Sequence, residues 1–178
     1  MALSSTRMEY RISLNNLDRG VERSETVILA LHPSETLEHL TLRVLAWCLF
    51  WEEGLAFGPG LSTPEAADLW THDLTGRLTT WIEVGSATGE RVKKVLQHHN
   101  GAGVQVLFAD VRRREELVAE LTGWKRAAEI GLWTVDGQLV RELAARQERR
   151  HKWAVTYVGE HFYVDVEGVG SMDGAVTR

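Results

Sequence analysis

Asp68 and Glu83 are the residues of this sequence whose types and spacing best suit chemistry. Asp68-Leu69-Trp70-Thr71 and Leu78-Thr79-Thr80-Trp81-Ile82-Glu83-Val84 both read as strands, and Asp73-Leu74-Thr75-Gly76 between them is a turn signature with Gly where a positive φ is tolerated. Such a hairpin brings an acid at the start of one strand and an acid near the end of its partner to one edge of a sheet. Two hard oxygen ligands close together suit Mg²⁺ or Mn²⁺. Asp73 competes with Asp68 for the first acid position, but its place in the turn gives it a local task, so Asp68 is preferred. Glu83 lies between Ile82 and Val84 and faces opposite to both, a position that a solvent-facing glutamate fills equally well.

Other side chains carry weaker signals. Glu35, His39 and Arg43 recur at four-residue spacing, which by default makes a surface ion-pair ladder worth a few tenths of a kcal/mol (~0.2–0.5 per pair). Neither His98-His99 nor His32 with His39 has zinc-ligand spacing, since adjacent helical side chains diverge by about 100°. Cys48 falls on an apolar helical stripe with no basic activator nearby and reads as core. Basic residues gather at Arg91, Lys93 and Lys94, at Arg112 to Arg114, and at Arg146, Arg149, Arg150 and Lys152. Of these, Arg91 and Lys93, together with Arg43, are the candidate contacts to nucleic-acid phosphates. Trp47 and Trp81 occupy positions that read as core rather than as stacking platforms.

The elements that must position these residues follow from periodicity. Tyr10, Ile12 and Leu14 alternate with polar residues, and Thr26 to Leu31 is a β-branched, apolar run. The two make an N-terminal β-hairpin joined through Asn15-Asn16 and Asp18-Arg19-Gly20. From Pro33 to Glu53, Leu37, Leu40, Val44, Cys48 and Trp51 recur at three- and four-residue steps, which predicts a long helix with Pro33 and Glu35 in its first turn and Gly54 at its end. His32 helps to close its start. A turn at Phe57 to Gly60 and a surface loop through Ser62-Thr63-Pro64 lead to the hairpin. After Gly85, Ser86 or Thr88 caps a helix that carries Val92, Val95 and Leu96 and ends at Asn100-Gly101. Val104 to Phe108 is then a short buried strand. A helix from Glu115 to Leu121, a strand from Ile130 to Val135, a helix from Gln138 to Arg149 and a terminal hairpin around Val158-Gly159-Glu160 complete the chain.

Composition limits the function classes. With 178 residues, 44% hydrophobic and 25% charged, 16 Gly and only 3 Pro, the sequence reads as one globular domain over residues 1–178. No apolar stretch approaches the roughly 20 residues of a membrane span, and no signal-peptide pattern opens the chain, so a cytoplasmic protein without a membrane partner is expected. A single cysteine excludes disulfides and thiolate clusters. The net charge of −5 argues against a whole-surface grip on nucleic acid and leaves local patches.

The words of the N-terminal half form a set. His32-Pro33-Ser34-Glu35-Thr36, then Glu38, Arg43 and Leu45-Ala46, Gly60-Leu61, Asp68-Leu69-Trp70, Asp73 to Gly76, Trp81-Ile82-Glu83-Val84-Gly85, and Arg91 with Lys94 occur in one order, after a Met1-Ala2-Leu3 start and Leu17-Asp18-Arg19. In this the sequence resembles the YaeQ family, with the matching runs between Met1 and Leu96. The resemblance implies an α/β (α+β) fold: a mixed central sheet with the αβββαβ core of PD-(D/E)XK nucleases over about 33–108, flanked by N- and C-terminal β-hairpins. It also implies site residues. Asp68 stands at the motif's aspartate, with Ala67 in place of the proline, and Glu83 stands at its second acid. Gly85 stands where the pattern has lysine. Glu35 or Glu38 would add an acid from the first helix, and Lys94 would return the missing amine. The implied chemistry is phosphodiester hydrolysis of DNA, with Mg²⁺ or Mn²⁺ on Asp68, Glu83 and Glu35 and with Asp68, Glu83, Lys94 and Glu38 as catalytic residues. The alternative is a non-catalytic nucleic-acid- or protein-binding module that keeps the fold.

Overall fold

A computed structural model describes residues 5–60, 63 and 65–178. Ser62 and Pro64 of the expected loop, and the Met1-Ala2-Leu3 start, lie outside them. The N-terminal hairpin is longer than its alternating core: β1 (Thr6–Asn16) pairs antiparallel with β2 (Val21–Leu31) through a single helical turn at Leu17–Arg19 and Gly20 at φ 65°. Next come α1 (Leu37–Phe50), β3 (Ala56–Phe57), β4 (Leu69–His72), β5 (Leu78–Val84), α2 (Gly89–His98) and β6 (Gly103–Phe108). The expected helix-strand-strand-strand-helix-strand order is therefore present. The chain closes with α3 (Val111–Leu121), β7 (Ile130–Val135), α4 (Gly137–Ala144), β8 (Arg150–Val158), β9 (His161–Val166) and β10 (Gly170–Thr177). The ten strands form one large, nearly closed mixed sheet in the order β2-β1-β8-β9-β10-β7-β6-β5-β4-β3.

α1 runs inside the curve of this sheet. Every residue from Leu40 to Phe50 is buried, so its apolar surface covers the whole circumference rather than the stripe that periodicity predicts. It packs on β1, β2, β8, β9, β10 and α4, and on Leu69, Ile82, Val84 and Leu107 of the central strands. A second, smaller core lies on the opposite face of β5, β6 and β7, where α2 and α3 bring Val92, Val95, Leu96, Leu117 and Leu121 against Trp81, Val104, Val106 and Phe108. The parallel strands β5 to β7 are thus covered on both sides, which explains the unbroken apolar run of β6. Cys48 is buried and burial pushes its thiol far above its ordinary range, in keeping with a core role.

Several boundaries differ from the sequence reading for local reasons. α1 starts at Thr36, whose hydroxyl accepts the His39 N–H at 3.1 Å, so Pro33 and Glu35 sit in the turn before the helix and not in it. Asn16 Nδ2 reaches the carbonyls of Cys48 and Leu49 and ends it early, at Phe50. α3 begins at Val111 because Asp110 caps it at Arg112 N, ahead of the expected Glu115. α4 stops at Ala144, short of Arg149. β10 has no apolar run to announce it, but its alternation buries Met172, Gly174 and Val176. Gly174 is required there, since a Cβ would lie 2.9 Å from that of Leu139 on α4.

Gly58 joins β3 to the site strand: its N–H donates to Asp68 O at 2.8 Å, and a Cβ would penetrate the Ala67 carbonyl oxygen. Gly58→Ala is therefore expected to destabilise the fold by about 1–3 kcal/mol, measured as a lower urea midpoint. An unchanged midpoint would show that this crossing yields freely.

Candidate functional site

The candidate residues gather around the C-terminal end of β5, but on two sides of the sheet. Asp68 lies just before β4, beyond the last ladder pair Leu69↔Ile82. Its N–H still donates to Ile82 O at 3.1 Å, while its Oδ2 accepts the Val84 N–H at 2.9 Å, so a carboxylate completes the ladder where the backbone leaves it. Its Oδ1 turns to α1, 3.6 Å from His39 Nε2 and 3.7 Å from Arg43 Nε. Glu83 alternates away from Ile82 and Val84, as expected, and enters the smaller core. There its Oε1 accepts the Trp81 Nε1–H at 2.9 Å and is ion-paired with Arg91 Nε of α2.

α1 contributes a buried charge cluster where spacing alone predicts a surface ladder. Glu35 Oε1 lies 2.7 Å from His39 Nδ1 and 3.3 Å from Arg43 NH1, with side-chain exposures of 0%, 22% and 2% for the three residues. Glu35 Oε2 also accepts the His32 N–H at 3.3 Å, which ties the turn before the helix to the cluster, so His32 does help to close the helix start. Arg43 NH2 donates to Gly58 O at 2.9 Å. Arg43 therefore bridges two acids and a carbonyl inside the protein and has no surface to offer a phosphate.

Burial and charge set the protonation. For Glu35, burial raises the pKa, but the His39 hydrogen bond and the Arg43 charge more than reverse this, and it is lowered. Burial works downward on His39, while the bond to Glu35 and the charge of Asp68 prevail, and it is raised. Both shifts favour a carboxylate facing an imidazolium, with Nδ1–H donating to Glu35. Asp68 and Glu83 are both raised, chiefly by burial, with Arg91 and His39 opposing, and the Asp68 charge adds to the rise at Glu83.

The remaining candidates lie on the surface. Glu38 is exposed in the first turn of α1. Lys94 is 60% exposed and pairs with Glu65 at 3.4 Å, so the cation at Glu83 comes from Arg91 and not from Lys94. Lys93 Nζ donates to Glu120 O at 2.8 Å and lies over the Trp124 ring. Asp73 is spent on its turn, where its Oδ1 accepts from Thr75 and Arg77. A pocket of about 120 Å³ borders Glu83's partner: Trp81, Arg91, Lys94, His98, His99 and Glu65 line it.

These placements test the implied metal. Asp68 and Glu35 turn to α1 while Glu83 turns to α2, each meets a cationic side chain from its own helix, and the described residues contain no group of three or more His, Cys, Asp or Glu arranged to hold an ion. As placed, the donors do not fit Mg²⁺ or Mn²⁺. Sequence reasoning missed His39 as a member of the site. The Glu35–His39–Arg43 spacing was its signal, and only the burial of α1 turns that spacing from a surface ladder into an internal cluster.

Removing the cation should expose its role. Arg43→Met leaves Glu35 and Asp68 buried without their partner and is expected to cost about 3–5 kcal/mol in urea unfolding, with partial recovery in Arg43→Met/Glu35→Gln. A loss below about 1 kcal/mol, the level of a surface pair, would contradict the internal role. The pair is also linked to pH. Glu35, lowered in the fold, stabilises fully above its ordinary 4.5 and loses this as pH falls through its folded value. His39, raised, stabilises fully below its ordinary 6.5 and loses this as pH rises through its folded value. The stability difference between wild type and His39→Gln should peak between these limits, and a difference that keeps growing above pH 8 would refute the assignment.

Comparison with known proteins agrees with the fold. The YaeQ protein family matches residues 1–172. The chain is 28% identical over 151 residues to the uncharacterized protein YaeQ of Escherichia coli (strain K12), covering 84% of this chain and 82% of that one. Its counterpart in Salmonella typhi is 33% identical over 144 residues, covering 79% and 78%. Among solved structures, YaeQ from Xanthomonas axonopodis pv. citri superposes with a TM-score of 0.88 at 27% identity, over 98% of this chain and 97% of that one. YaeQ from Pseudomonas syringae gives 0.85 at 28% identity, over 97% and 94%. With the family match spanning nearly the whole chain and two full-length structural likenesses, this chain belongs to the YaeQ family.

Proposed function

We propose that the chain is a nucleic-acid-binding module of PD-(D/E)XK ancestry, which holds a phosphodiester backbone across α2 rather than cutting it. The observation that carries this reading is the pocket beside Glu83, where Arg91, His98, His99 and Lys94, the last paired with Glu65, line the edge of the buried Trp81. Trp70 meets the buried Trp81 edge-on at 6.4 Å and His72 meets Trp70 at 5.3 Å, so the half-buried Trp70 and the exposed His72 carry the aromatic surface along β4. Basic side chains beside ring faces are the elements of sequence-tolerant single-strand binding. The charge cluster behind them supports a binding role, since each acid already has its cation within the protein.

A second reading, hydrolysis with Mg²⁺ or Mn²⁺ on Asp68, Glu83 and Glu35, has one observation in its favour: two neighbouring acids, both raised toward the neutral form, are a common mark of a catalytic centre. It requires Glu83 to exchange Arg91 for the ion. Calorimetric titration of Mg²⁺ and Mn²⁺ into wild type and Glu83→Ala is expected to give equal heats. A heat confined to wild type, with cleavage of plasmid or single-stranded DNA that is lost in Asp68→Ala and Glu83→Ala, would install the enzyme in place of the binder.

Binding itself is checked by fluorescence anisotropy with a labelled single-stranded oligonucleotide. Affinity should be weak and fall steeply with salt, given the net charge of −5. Lys94→Ala/His98→Ala should weaken it and flatten the log–log salt slope by roughly 0.7 for each phosphate that the variant no longer neutralises. Equal affinity in the variant would sink the α2 face as the binding surface.

A further inference from the structure

At the other end of α1, away from the charge cluster, a pocket of about 510 Å³ opens where the sheet curves toward closure. Its volume is that of a small-ligand site. Trp133 of β7 forms one wall, with Phe50 edge-on at 5.7 Å and the Arg178 guanidinium 5.1 Å from the ring centroid. The indole N–H is already donated to Gln105 Oε1 at 2.8 Å, so Trp133 offers the pocket a ring face rather than a polar edge. That same bond fixes the Gln105 amide. Gly131 makes room for it, since a Cβ there would lie 2.8 Å from Gln105 Cδ. With its oxygen engaged, Gln105 has its NH₂ left to donate, and no acceptor meets it among the described residues. Acids at the rim, Glu52 and Glu160 with Asp18, outnumber Arg19 and Arg178, so the site is not an anion trap.

We infer that this pocket binds an uncharged, planar heteroaromatic ring that carries a carbonyl beside a ring N–H, the chemistry of a lactam nucleobase. The ring stacks on Trp133 in place of the Arg178 guanidinium, the carbonyl accepts from Gln105 Nε2, and the ring N–H faces the rim carboxylates. This site uses none of the α2 residues and stands apart from the proposed backbone binding. Adenine, which has an amino group where guanine has its carbonyl, would set a donor against Gln105, and a 5′-phosphate would meet the acidic rim.

Isothermal titration with guanosine, adenosine and guanosine 5′-monophosphate tests the inference. Guanosine should bind, adenosine more weakly, and the monophosphate more weakly than the nucleoside. Trp133→Leu should lower guanosine affinity by roughly tenfold or more, the range of base–aromatic stacking. Because that change also removes a core side chain, Gln105→Glu serves as the second variant: it replaces the donor amide with a carboxylate, and should abolish the preference for guanosine over adenosine. Lys94→Ala/His98→Ala should bind guanosine as wild type does. Absence of guanosine binding at millimolar concentration, equal binding of both nucleosides by wild type, or unchanged affinity in both pocket variants would overturn it.

Discussion

A guanidinium held in the buried, largely apolar body of α1 is the interaction on which the rest of this architecture turns. α1 is enclosed by the curve of the sheet, β5 included, and by α4, so a charged residue in its middle must find every partner within the protein. Arg43 does so by drawing Glu35 from the turn before the helix, Asp68 from the start of β4 and the Gly58 carbonyl from beside β3 onto one group. Its Nε keeps no hydrogen bond and faces Asp68 at 3.7 Å, a residual cost set against three fixed segments. The register of the helix against the strands is thus specified by charge as well as by packing.

The same need for internal partners explains why the acids at the end of β5 divide between two helices. The register Leu69↔Ile82 would set Asp68 opposite Glu83 on one face, but Asp68 lies beyond the last ladder pair and turns to α1, and since both faces of β5 are covered each carboxylate is satisfied by the helix it meets. Glu83 meets Arg91 over the Trp81 ring, and Asp68 meets His39 and Arg43. The pocket left beside α2 is then lined by Arg91, Lys94, His98 and His99 with Glu65, rather than by a pair of open carboxylates.

Much of this was legible in the sequence. The Asp73 to Gly76 turn, the alternation in β1 and the apolar run in β6 each report a local rule, and each element lies where the rule puts it. Site membership was legible only in part, because the residue types were plain while their environment was tertiary. Glu35, His39 and Arg43 have the same spacing in an exposed ladder as in a buried cluster, and only the ten strands around α1 decide between them. The partner of Glu83 was similarly hidden. Arg91 and Lys94 lie one turn apart on α2, and it is the helix's angle of approach that brings the first to the acid and leaves the second in solvent.

Gly85 shows how far the backbone conformation of one residue reaches. Its φ is 79°, a conformation that side chains disfavour, while a Cβ there would touch His39 Cδ2 at only ordinary contact distance, 3.5 Å. Backbone conformation, more than lack of space, is what bars a lysine from this position. The sharp turn it makes lets the Gly85 N–H reach Leu107 O at 2.9 Å and carries the chain from β5 toward α2, so that Arg91 arrives at Glu83. On the α1 side, the imidazole of His39 lies beside the place an amine at residue 85 would begin to fill. The cations that meet these carboxylates come from two helices, His39 and Arg43 of α1 at Asp68 and Arg91 of α2 at Glu83. A chain that builds its charges in this way has a self-compensated strand end, with each acid already paired on its own side.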